Sequence, residues 1–170
     1  TKNPTYNDRI LEHWDNPNGT VERGYAGSSL WKWEELPDIT RPEYEEYARV
    51  NAAVGINGAV LNNVKADVCM LTSEYLQKVK VLFDMFHPYG IKVYLSINFA
   101  EPKHIGGVST PDPLDPQVIS FWNNKAAEIY SYVPDFGGFL VKTNSEGQLG
   151  PHDYGRTHAD GTNMLADALK

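Results

Sequence analysis

Short apolar runs alternate with segments of helical periodicity along the chain, and this alternation limits the possible folds more than any other feature. The candidate strands are residues 21–26, 58–64, 91–99 and 138–142. The candidate helices are residues 43–54, 73–86, 117–133 and a last one that begins near Asn163. Such strand–helix alternation predicts an α/β fold with a parallel sheet.

The spacing of the elements favours a (β/α)8 TIM barrel, of which about four βα units are present. Strand centres recur about every 35–45 residues, which suits a barrel with elaborated loops. A doubly wound sheet is the alternative, but no G-x-G-x-x-G follows the first candidate strand. The links from helix to strand are short, whereas those from strand to helix, at 100–116 and 143–162, are long. Because barrel enzymes build their active sites from the strand-to-helix loops, function is expected there.

Composition excludes several classes of protein. The chain has 15 Lys+Arg and 22 Asp+Glu, a formal net charge of −7, which argues against a nucleic acid bound through its phosphates. A single cysteine, Cys69, excludes an internal disulfide. No apolar run approaches the length of about 18 residues that spans a bilayer. No targeting signal is visible, so the localisation stays unknown, with cytoplasmic and secreted both open.

The end of the fourth candidate strand is the strongest candidate site. Glu146 follows it in a polar, glycine-containing run, where a carboxyl group suits acid, base or nucleophile chemistry. A capping or solvent-facing carboxylate is the structural alternative. Lys142 lies on the same face if the chain stays extended. Its partner is then either Glu146, in a structural ion pair, or the carboxylate of a substrate.

Amide and aromatic side chains near other strand ends give weaker signals. Asn62, Asn63 and Asn98 suit either sugar hydroxyls or loop capping. Trp31 and Trp33 alternate as in a strand, so one or both belong to a core. Trp14 precedes the first candidate strand. Its position in the sequence alone favours a plug beneath the barrel over a platform on which a sugar stacks.

No metal or cofactor is expected. The loop that carries His152, Asp153, His158 and Asp160 invites a metal interpretation, but His-x5-His is not a spacing with a known zinc geometry. The chain also contains no HExxH motif.

Six runs of residues, spread along nearly the whole chain, resemble the α-glucuronidases of glycoside hydrolase family 67. They are HWDN at 13–16, ERGYAG at 22–27, GINGAVLNNV at 55–64, PYGIKVYLSINF at 88–99, DFGGFLVKTNSEGQLGP at 135–151 and DYGRTHADGTNMLA at 153–166. The resemblance implies that residues 1–170 are the N-terminal half of the catalytic barrel, with the flanking domains of the family absent from this chain.

The family resemblance also implies an activity and roles for individual residues. The family hydrolyses, with inversion, the α-1,2 linkage of (4-O-methyl-)D-glucuronic acid in xylan-derived oligosaccharides. By this resemblance Glu146 is the general acid, Lys142 meets the uronate carboxylate, Trp14 lines the sugar pocket rather than plugging the barrel, and Val64 forms pocket wall. Asn98 is expected to bind substrate as a strand-end amide. The general base should lie beyond residue 170, so we expect the chain alone to be inactive.

Two alternatives to this function stay open. One is another TIM-barrel glycoside hydrolase, and the other is a non-catalytic oligosaccharide-binding fragment. The expected partners are aldouronic acids and glucuronoxylan oligosaccharides, with no nucleic acid and no membrane segment. A homodimer is an option for the full-length enzyme.

Overall fold

Four strands form one parallel sheet in the computed structural model, which describes residues 4–145 and 147–170. They are β1 (Ile10–Glu12), β2 (Gly58–Val60), β3 (Lys92–Asn98) and β4 (Gly138–Lys142). Their order in the sheet is their order along the chain. A doubly wound sheet reverses its strand order at a switch point, and the described residues contain no such reversal. The α/β class with four parallel βα units is therefore confirmed.

Five helices follow or separate the strands in the described residues. They are α1 (Pro42–Ala53), α2 (Ser73–Phe86), α3 (Glu101–His104), α4 (Pro116–Tyr132) and α5 (His158–Ala168), with short 3-10 turns at Val68–Leu71, His87–Tyr89 and Pro151–Tyr154. None of them is long and apolar enough to cross a membrane.

Local capping chemistry decides where the helices begin. The side chain of Asp115 accepts a hydrogen bond from Gln117 N, and a proline occupies the first position of α4, as the sequence predicts. Helix α5 starts before its predicted beginning near Asn163. There Thr157 and Asp160 form a reciprocal capping box, which satisfies two backbone N–H groups at once.

The core lies between the sheet and the helices. Helix α2 buries one apolar stripe that includes Leu76, Val79 and Phe83, at the spacing of three and four expected for an amphipathic helix. Trp31 and Trp33 are both fully buried, so the prediction that they belong to a core is confirmed. The indole Nε1 of Trp31 donates to Leu61 O at 3.0 Å and thereby ties the loop after β1 to the end of β2.

The first predicted strand is wrong. Residues 21–26 lie in a loop that contains isolated antiparallel bridges, Asp15 to Val21 and Thr20 to Ser28, and Glu22 has a left-handed φ of 59°. The true first strand, β1, has only three residues, too few for a clear alternating pattern. As a consequence, Trp14 follows the first strand instead of preceding it, and lies at the carboxyl edge of the sheet.

Asp15 fixes the loop after β1. Its buried carboxylate accepts hydrogen bonds from Ser29 Oγ at 2.7 Å and from Leu30 N at 2.6 Å. We predict that Asp15→Ala lowers the free energy of unfolding by about 2–4 kcal/mol, because buried donors lose their acceptor. Chemical denaturation of the purified protein measures this. Asp38→Ala, at an exposed position, is the matched control, and an equal loss in both variants would contradict the anchoring role.

Candidate active site

A small polar cavity lies at the carboxyl edge of the sheet, where the strand-to-helix loops meet. Its volume is about 180 Å³, and its described lining residues come from the ends of β3 and β4 and from the loops after β2 and β4: Val64, Lys65, Asn98, Lys142, Ser145 and Gln148. Two of these residues are lysines, and none of the described ones is acidic. The two lysines bring positive charge to the described lining, and the amides bring hydrogen-bonding groups, which suits an anionic, oxygen-rich ligand.

Three of the predicted site residues meet in this cavity. Val64, Asn98 and Lys142 all line it, although 78 residues of chain separate the first of them from the last. Strand register explains part of this, because Asn98 and Lys142 are directly paired in the β3–β4 ladder. The sheet thus brings a strand-end amide beside a strand-end cation.

The other two predicted site residues, Trp14 and Glu146, are not among the described residues of the cavity lining. The ring of Trp14 is 42% exposed at the exit of β1, and its Nε1 donates to Glu12 Oε1 at 2.8 Å. A half-exposed ring at this edge is not a plug beneath the sheet. Glu146, the predicted general acid, lies outside the described residues.

Asn98 is held from two sides. Its Oδ1 accepts from Ala100 N at 2.8 Å, and its Nδ2 donates to Gln148 Oε1 at 2.7 Å. Asn98 is buried; its bond to Ala100 N is buried as well, and its bond to Gln148 is partly buried. Asn98 is consequently a fixed part of the cavity wall, and it connects the turn after β3 to the loop after β4.

The neighbouring amides cap loops, which is the structural alternative that the sequence left open for them. Asn62 and the backbone of Ser96 exchange hydrogen bonds of 3.0 and 2.8 Å. The Nδ2 of Asn63 donates to Asn16 Oδ1 at 3.0 Å and to Glu22 O at 2.9 Å. Both side chains are buried, so they hold the loops around the cavity rather than line it.

The histidines and aspartates of the loop after β4 are engaged in local structure. The Oδ2 of Asp153 accepts from Asn144 Nδ2 at 2.8 Å and from Gly150 N at 2.7 Å, and Asp160 caps α5. The rings of His152 and His158 contact each other with centroids 4.3 Å apart and planes tilted by 54°. Among the described residues, no group of three or more His, Cys, Asp or Glu side chains is placed to hold a metal ion.

Glu101 is a buried carboxyl group beside the site that sequence reasoning missed. It lies at the start of α3, only 1% exposed, and its Oε2 has no hydrogen-bond partner in the described part of the chain. Burial raises the pKa of Glu101 to about 8; the Asn98 N–H and Lys125 act against this, and Asp67 adds to it. Glu101 begins a helix of only four residues and is followed by a proline. A helix this short shows no apolar period, so the sequence gives no signal that Glu101 is buried.

The raised pKa of Glu101 should make the stability of the protein depend on pH. Since its pKa is near 4.5 when unfolded and about 8 when folded, the folded state retains a proton that the unfolded state loses between these values. The free energy of unfolding should therefore fall as pH rises from about 5 to 8, by a few kcal/mol at most. Glu101→Gln should remove this fall, whereas Glu43→Gln, at an exposed position on α1, should retain it. Denaturant titrations at pH 5 and 8 measure the difference, and parallel slopes for all three proteins would contradict the assignment.

A family model and the curated relatives of this chain indicate the same protein family. A family model described as "Glycosyl hydrolase family 67 middle domain" matches residues 1–170. The "Probable alpha-glucuronidase A" of Aspergillus terreus is 46% identical over 164 residues, which cover 95% of this chain and 19% of that protein. The "Alpha-glucuronidase A" of Emericella nidulans is 45% identical over 175 residues, 99% of this chain and 20% of that protein.

The chain spans about a fifth of the length of the curated relatives it matches. Likeness to solved structures is weaker. A protein from Streptomyces cattleya overlaps over 95% of this chain and 41% of that chain, with a TM-score of 0.49 and 14% sequence identity.

Proposed function

Because the chain belongs to glycosyl hydrolase family 67, we propose that residues 1–170 form the N-terminal half of the catalytic (β/α)8 barrel of an α-glucuronidase. Four parallel strands in sequential order support the barrel half. The position of the cavity supports it as well, because barrel enzymes place their active sites at the carboxyl ends of the strands. The proposed activity is that of the curated relatives, which are named as α-glucuronidases.

The observation that carries this proposal is the place of Lys142 in the cavity. Its side chain lines a small polar cavity at the carboxyl edge of the sheet, beside Asn98 and Gln148. A hexuronic acid differs from a neutral hexose by one carboxylate, so a pocket that selects it requires fixed positive charge. Lys142 supplies this charge, and the substrate is a glucuronic acid linked α-1,2 to the xylose of a xylan-derived oligosaccharide.

Catalysis in this proposal is an inverting hydrolysis. Glu146 protonates the leaving oxygen, while a carboxylate from a later barrel strand activates a water across the sugar ring. Glu146 must then be protonated at the working pH, which the positive charge of Lys142 opposes. Binding of the uronate carboxylate to Lys142 offsets that charge, so the substrate helps to keep its own acid protonated.

Val64 and Trp14 complete the binding surface. Val64 forms apolar wall in the cavity, against which the ring face of a sugar packs. Trp14 offers a half-exposed indole at the exit of β1, on the same edge of the sheet. Because it is not among the described residues that line the cavity, we assign Trp14 to the outer part of the substrate.

Two other functions make different demands. A retaining barrel glycosidase needs a second carboxyl group about 5–5.5 Å from the acid, whereas inversion needs about 6.5–9.5 Å. The stereochemistry of the first-formed sugar, followed by NMR, separates these two. A non-catalytic oligosaccharide-binding fragment would bind glucuronate but would show no turnover in the full-length protein.

We predict that Lys142→Ala weakens glucuronate binding by about ten- to a hundredfold, because a buried charge-assisted contact contributes about 1.5–3 kcal/mol. Calorimetric titration of glucuronate into full-length protein measures the change. Lys80→Ala, on the exposed face of α2, removes the same charge elsewhere and should leave the affinity unaltered. Unchanged affinity in the Lys142 variant would assign that residue a structural role instead.

We predict that Glu146→Gln in the full-length enzyme lowers the rate of aldouronic acid hydrolysis by about 10²–10⁴, the usual contribution of a general acid. A nitrophenyl glycoside has a leaving group that needs no proton, so the loss on that substrate should be much smaller. Steady-state kinetics on both substrates make the comparison. Equal losses on the two would remove Glu146 from the acid role.

A further inference from the structure

Gln148 lines the same cavity as Lys142, and its amide is fixed in one orientation. Its Oε1 accepts a hydrogen bond from Asn98 Nδ2 at 2.7 Å. An amide carries its oxygen and its NH₂ group at different corners of one plane. Because the oxygen is held by Asn98, the Nε2 group of Gln148 is directed away from Asn98. Within residues 4–145 and 147–170 it has no hydrogen-bond partner, so it can donate to a ligand in the cavity that Gln148 lines.

The orientation of Asn98 is itself set by the backbone. Its Oδ1 accepts from Ala100 N at 2.8 Å, in the tight turn that follows β3. With the oxygen so engaged, Nδ2 is the group that faces Gln148. The strand register adds a second constraint, since Asn98 pairs with Lys142 in the sheet. The turn thus fixes Asn98, and Asn98 fixes Gln148.

We propose that Gln148 is a specificity-determining residue, whose Nε2 group donates a hydrogen bond to the hexuronate beside Lys142, and that Asn98 is the positioning residue that directs it. This inference rests on the proposed function, because it takes the same cavity to be the uronate site. Lys142 supplies charge, which any nearby anion would satisfy. Gln148 supplies a directed donor, which selects the position of the ligand oxygen that it meets.

Gln148→Glu tests the donor with almost no change of shape. A carboxylate at this position still accepts from Asn98 Nδ2 but presents an acceptor in place of the Nε2 donor. We expect glucuronate to bind at least about tenfold more weakly to this variant in calorimetric titrations of the full-length protein. Gln77→Glu, the same change at an exposed position on α2, should bind glucuronate as the unmodified protein does.

D-Glucuronamide, which carries no charge, is a second probe. Weaker binding of both glucuronate and glucuronamide to the Gln148→Glu variant would place the hydrogen bond on a sugar hydroxyl. Gln148→Glu also adds a negative charge, which repels glucuronate whether or not a hydrogen bond is lost. Weaker binding of glucuronate alone therefore places the hydrogen bond on the carboxylate only if Gln148→Met weakens glucuronate binding too, and a loss confined to Gln148→Glu would contradict the proposal. Gln148→Met removes the donor without adding charge and should weaken glucuronate binding as well, so the test stands even if the glutamate variant folds poorly.

A double-mutant cycle tests the positioning role of Asn98. Asn98→Ser retains a short acceptor for Ala100 N but no longer reaches Gln148. It should weaken glucuronate binding several-fold when Gln148 is present and have little effect in a Gln148→Met background. A merely structural role would give the same loss in both backgrounds.

The possible results separate three claims: the role of Gln148, the role of Asn98 and the proposed function. Unchanged glucuronate affinity in Gln148→Met, with binding by the unmodified protein intact, would overturn the role of Gln148 and leave the proposed function in place. Equal losses from Asn98→Ser in the two backgrounds would overturn its positioning role. Absence of glucuronate binding by the unmodified full-length protein would overturn the proposed function, and this inference with it.

Discussion

The parallel pairing of β3 with a strand on each side determines where Asn98 and Lys142 lie in the cavity and where the loops that complete it begin. Five residue pairs join β3 to β4, from Tyr94 with Gly138 to Asn98 with Lys142, and β2 pairs with β3 on the other side. Because all the strands run in one direction, the chain leaves each of them at the same edge of the sheet. A slip of one residue would turn the side chain of Lys142 to the opposite face. The hydrogen-bond ladder is therefore what places an amide beside a cation.

Buried polar bonds extend this rigidity into the loops. Asn63 donates to three acceptors in the loop after β1, and Asp15 accepts from the following segment of the same loop. Asn62 joins the end of β2 to β3 through Ser96. In a buried setting the loss of such a partner costs more than the bond contributes when formed. The loops at this edge consequently behave as parts of the framework, and a ligand meets side chains that are already in place.

The sequence predicted the periodic elements well and the site only in part. Helix α2 and strand β4 have the predicted bounds, because each has a clear apolar period. Strand β1 was missed because three residues are too few to show one. Val64, Asn98 and Lys142 lie together as the strand-end reasoning and the family resemblance indicated. The orientation of Gln148 depends on a bond across 50 residues, and no local pattern encodes such a bond.

Glu101 shows why a raised pKa does not by itself identify a catalytic acid. Its carboxyl group has the property that a general acid needs at neutral pH, since burial raises its pKa to about 8. It fails on access, because it is only 1% exposed and is absent from the described lining of the cavity. An acid must come within hydrogen-bond reach of the leaving oxygen, so geometry decides before pKa does. Burial that excludes water from Glu101 also excludes the substrate. The protonated carboxyl group of Glu101 therefore belongs to the framework that holds Asn98, and it does not compete with Glu146 for the proposed role of general acid.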